Sequence, residues 1–85
     1  MIFFYKFNGS LLLQNSSGGI VKWDMSKLSI DQTAIIMVGH EVGHSRGLDT
    51  TLGNDAPHLS ANNFGVKQCF NSGKCNSNSL PYAGF

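Results

Sequence analysis

His40-Glu41-Val42-Gly43-His44 is the stretch from which the rest of this chain can be read. Two histidines four positions apart stand one above the other on one face of a helix. At that spacing both imidazoles reach a single zinc ion, and Glu41 between them lies beside the metal's open position. The residue types matter. Neutral imidazole is a good borderline ligand for zinc, and a carboxylate not itself bound to the metal can take a proton from water held there. The bland alternative is a helix that merely carries two histidines on a polar surface. Three neighbours favour the metal site: an apolar run before the motif, a marked helix start, and Gly47 three residues after His44.

That helix has readable ends. Ser29-Ile30-Asp31-Gln32 fits a capping box, with Ser29 as N-cap, Gln32 at N3 and Asp31 adding negative charge to the first turn. Ala34 to Val38 is apolar on nearly every side, which predicts a buried or sandwiched helix. Gly39 and Gly43 each cost about 1 kcal/mol of helix propensity relative to Ala. Two readings stay open for them: close approach of another segment or a substrate, or simple tolerance. Gly47 is a natural C′ residue, ending the helix in left-handed conformation. Arg46 then interacts with the negative end of the helix dipole.

Upstream, strands are expected. Ile2 to Phe7 is rich in aromatic residues and Ser10 to Gln14 carries three leucines. The Asn8-Gly9 pair between them suits a type I′ hairpin turn. Residues 15–19 form a Ser/Gly-rich loop, and Ile20 to Trp23 reads as a third short strand ending at Asp24.

With these elements in place, His40 through Leu48 resembles the active-site helix of the metzincin clan of zinc metallopeptidases, whose pattern is H-E-x-x-H-x-x-G-x-x-H. It is also similar to small bacterial peptidases carrying H-E-I-G-H. The resemblance covers roughly residues 20–50 and implies a zinc-dependent endopeptidase, with His40 and His44 as ligands and Glu41 as general base. In that clan the glycine bends the chain so that a residue three positions later becomes the third ligand. Here that position is Thr50, whose hydroxyl is a poor zinc ligand. The clan also places a methionine turn beneath the zinc, and this chain has no Met after Met37.

The third ligand must therefore be sought elsewhere. A second zincin group takes a Glu from a following helix, but no Glu follows Glu41. His58 is chemically the best spare donor, within reach if residues 51–57 form a loop that folds back. A solvent-facing loop histidine is the competing reading. Asp49 is second choice, being nearer but liable to point away after the glycine turn. Asp55 reads as a turn residue.

Composition bounds what remains. A chain of 85 residues is one domain at most, and it buries only about 60% of its unfolded surface, so its core is marginal without a metal, disulfide or partner. Net charge is +1 with 13% charged residues, which leaves no basic patch for nucleic acid. No apolar run is long enough for a membrane span. Low charge with abundant Ser, Asn and Gly suggests a secreted or extracytoplasmic protein. The first residues lack a basic n-region and a small-residue cleavage site, so the expectation is either that the protein is not exported by that route or that its true N-terminus is missing. Cys69 and Cys75 flank a turn-prone segment and are expected to pair in an oxidising compartment; free thiols are the alternative.

The expected fold is α+β: a small antiparallel sheet of two or three strands (residues 1–28), one active-site helix (29–47) and a loop-rich C-terminal tail (48–85). The expected activity is zinc-dependent hydrolysis of peptide or protein substrates. The alternative is an inactive zincin remnant or fragment, acting as a weak metal-binding or interaction module.

Overall fold

The computed structural model describes residues 10–53 and 56–76. The proposed strand at Ile2 to Phe7, its Asn8-Gly9 turn, Asp55 and the last residues lie outside that range. Strand β1 (Ser10–Gln14) pairs antiparallel with β2 (Ile20–Asp24), giving a two-stranded sheet among the described residues. Alternation decides which face turns inward. Leu11 and Leu13 are buried, and across the ladder they meet Trp23 and Val21, both packed against the core. The loop between the strands is tied by Asn15, whose Oδ1 accepts from the backbone N–H groups of Ser17 and Gly19 at 3.1 and 2.8 Å. Gly18 supplies the positive φ of 91° that the reversal needs.

A 3₁₀ turn at Met25–Lys27 leads into helix α1 (Ile30–Ser45). The capping box is formed: Gln32 N–H donates to Ser29 Oγ at 3.1 Å, and Ser29 N–H donates to Gln32 Oε1 at 2.8 Å. At the other end Gly47 has φ 92°, its N–H donates to His44 O at 3.0 Å, and Leu48 N–H donates to Gly43 O at 3.0 Å. Those two bonds make a Schellman stop, and they swing Leu48 back over the helix end.

The tail departs from expectation. Instead of irregular chain from 48 to 85, Leu59–Asn71 forms a second helix, α2. Local composition argues against it, because Asn62, Asn63, Gly65 and Asn71 are weak helix formers. Tertiary packing overrides that preference. Ala61, Gly65, Val66 and Cys69 form one buried stripe, and the two asparagines give their amides to β1. Missing too is the usual N-terminal signal, since His58 at the N-cap makes no side-chain cap. Asp49 caps the helix from a distance: its Oδ2 accepts from Ala61 N–H at 2.8 Å.

The two helices cross with their backbones touching. A Cβ added at Gly39 would lie 2.6 Å from Gly65 Cα, one at Gly65 would collide with Ile36 O, and one at Gly43 would lie 3.3 Å from Ala61 Cα. Of the two readings open for Gly39 and Gly43, close approach of another segment therefore holds, and the segment is α2. The core gathers Leu11, Leu13, Met25, Leu28, Ile36, Val66 and the Cys69–Cys75 disulfide. The disulfide secures the chain just beyond α2, where Lys74 O also accepts from Gln32 Nε2 at 2.8 Å. Among the described residues no helix is long and apolar enough to cross a membrane.

Two substitutions test this packing. Gly65→Ala is expected to destabilise by about 1–3 kcal/mol in urea denaturation despite its better helix propensity, because the methyl has no room. Thr33 is only 1% exposed and its Oγ1 has no hydrogen-bond partner among the described residues. Thr33→Val is expected to raise the urea midpoint, gaining about 1 kcal/mol by removing a buried unsatisfied hydroxyl.

Candidate metal centre

His40 and His44 lie on the last turns of α1, on the side facing the start of α2, and both are half-buried. Their rings are perpendicular, and their Nε2 atoms lie 2.9 Å apart. His58, at the N-cap of α2, brings its Nδ1 to 3.1 Å from His44 Nε2. Among the described residues these three are the one set of histidines, cysteines and acids close enough to hold a metal ion. Ligand bonds of about 2.0–2.1 Å at tetrahedral angles place donor nitrogens about 3.3 Å apart. The two separations from His44 are close to that, and all three donor atoms lie within 4.8 Å of one another, near enough to hold one ion.

The opposite nitrogen of each ring is anchored. His44 Nδ1 meets Leu48 O at 2.8 Å, His58 Nε2 meets Gly53 O at 3.0 Å, and His40 Nδ1 meets Asn62 Oδ1 at 2.7 Å. A carbonyl oxygen can only accept, so each of these ring nitrogens is the protonated donor. In a neutral imidazole the remaining nitrogen then carries a lone pair. All three lone pairs belong to the nitrogens that crowd together. This is the outer-shell pattern by which proteins fix the tautomer and aim of metal-binding histidines. The Schellman stop has a part in it, because it delivers the Leu48 carbonyl to His44.

Glu41 is exposed on the same helix, one position after His40 and three before His44, and has no hydrogen-bond or ion-pair partner among the described residues. Its carboxylate is exposed to solvent. Asp49, the second choice for third ligand, does not join the cluster: its carboxylate caps α2, and its backbone takes a positive φ of 55°. Thr50 Oγ1 donates to Gly47 O at 3.4 Å and stays out as well. The third imidazole thus comes from 14 positions past His44, carried on a second helix rather than on the three-residue step after the glycine. A groove of about 680 Å³ between α1 and α2, bordered by Val38, Val42, Arg46, Phe64 and Lys67, contains none of the three histidines.

The participants that sequence reasoning missed are Asn62, Leu48 and Gly53. Two of these act through main-chain carbonyls, which no residue type announces. Asn62 gave no signal without α2. No protein-family model matches the chain, and no similar curated protein or solved structure was found.

A metal ion present at 100 times its Kd should stabilise the fold by about 2.7 kcal/mol through mass action. Thermal denaturation with and without added divalent ion should show that rise in the native chain and lose it in His58→Ala.

Proposed function

We propose that this chain is, or derives from, a zinc-dependent endopeptidase. The observation that carries the reading is the convergence of the ring nitrogens of His40, His44 and His58, close enough to hold one metal ion, on a helix that also carries the exposed Glu41. Zinc suits the donor set: it is borderline-soft, favours tetrahedral nitrogen sites, and three protein ligands leave a fourth position open, as catalytic rather than structural zinc requires. When bound, zinc would polarise a carbonyl oxygen and make a nearby water more acidic. The motif from His40 to Leu48 resembles the metzincin active-site helix and supports the same assignment.

The residues then divide the work. His40, His44 and His58 hold the ion, with their outer nitrogens fixed by Asn62, Leu48 and Gly53. Glu41 accepts the proton of the attacking water and returns it to the amine of the leaving peptide. Three neutral imidazole ligands would leave the charge of a bound ion unneutralised by the protein's donors. The substrate class is peptide or protein. A secreted or extracytoplasmic setting is supported by the Cys69–Cys75 disulfide, which persists in oxidising compartments.

Glu41→Gln separates binding from chemistry. The variant is expected to hold one zinc per chain as the native protein does, while casein or peptide hydrolysis falls by about 10²- to 10⁴-fold, the usual contribution of a general base. Hydrolysis at the native rate would remove the mechanism. Bound zinc with no hydrolysis in the native chain would instead make it a metal-binding or interaction module.

A further inference from the structure

Asn62 stands in the first full turn of α2, four positions after His58. One helix turn therefore presents a ligand and an amide to the same centre, as α1 presents His40 and His44. The amide is oriented by the sheet. Its Nδ2 lies 2.9 Å from Leu12 O, which can only accept, so the amide nitrogen must face β1. Oδ1 is left pointing at His40 Nδ1, 2.7 Å away. The ring must donate there, and His40 Nε2 is held as the lone-pair nitrogen, 2.9 Å from His44 Nε2. The neighbouring Asn63 is bonded differently. Its side chain copies a strand neighbour, accepting from Gln14 N–H at 3.1 Å and donating to Gln14 O at 2.8 Å.

We infer that Asn62 is a positioning residue for the metal centre: its Oδ1 fixes the tautomer and aim of His40, while its Nδ2 separately ties α2 to β1. The inference rests on the metal-binding reading of the triad. Leu12 enters through its carbonyl alone, so side-chain changes at position 12 act on packing, whereas changes at Asn62 act on the ligand.

Asn62 serves two partners, and two substitutions separate them. Asn62→Ala removes both bonds. Asn62→Asp keeps an oxygen acceptor for His40 Nδ1 but loses the donor to Leu12 O. Asn63→Ala loses only the strand clamp and touches no histidine. Zinc affinity is measured by competition against a chromogenic chelator, and the stability of the zinc-free protein by urea denaturation. Asn62→Ala is expected to bind zinc about 10- to 100-fold more weakly, the usual effect of losing an outer-shell partner. Asn62→Asp should regain most of that affinity while its zinc-free stability stays as low as that of Asn62→Ala. Asn63→Ala should lose stability with zinc affinity unchanged. Native-like affinity in Asn62→Ala, or an Asn62→Asp variant as weak as Asn62→Ala, would overturn the role. A native chain that binds zinc while those results fail leaves the triad standing without Asn62; a native chain that binds no zinc removes both.

Discussion

Three lone pairs aimed at one point repel one another unless a cation lies among them. The rings of His40, His44 and His58 are each turned so that the protonated nitrogen faces a carbonyl-type oxygen and the bare nitrogen faces the other two. The arrangement is costly for an uncharged cluster and favourable for one that binds a metal ion, and much of the fold can be understood as the means of enforcing it. The anchors come from three different places: the Schellman turn, the loop before α2, and α2 itself, where Asn62 is in turn bonded to strand β1. In a chain of this size, with a small core, an ion gripped by both helices would also contribute folding free energy.

The helix crossing makes the triad possible. His58 reaches the pair on α1 only because α2 approaches until Gly65 meets Gly39 and Ala61 meets Gly43. Glycines that weaken α1 as an isolated helix are thus what allow the third imidazole to arrive. Asp49 contributes from between the helices by capping α2, at the expense of its own candidacy as a ligand. The resulting centre shares the H-E-x-x-H helix with the metzincin pattern, but it takes its third nitrogen from a separate helix.

How much of this is legible in the sequence depends on how local each signal is. Ser29 and Gln32 mark a helix start through contacts three residues apart, Gly47 marks its end, and the i, i+4 histidines need only the helix itself; all are written in nearby residues. The leucines of β1 and the loop at 15–19 are likewise legible. Helix α2 is not, because its cap is borrowed from Asp49 and its stability comes from Ala61, Gly65 and Val66 lying against α1. Without α2, His58 can be ranked as a donor on chemistry alone, and Asn62 cannot be seen at all. The outer-shell carbonyls of Leu48 and Gly53 belong to the backbone and leave no mark in sequence.

X-ray absorption spectroscopy on the zinc-loaded chain, with metal content determined on the same sample, reads what the three ring nitrogens share. One ion per chain with three imidazole scatterers at about 2.0–2.1 Å is the expected result. An ion held by only two imidazoles, or no ion retained, would contradict it.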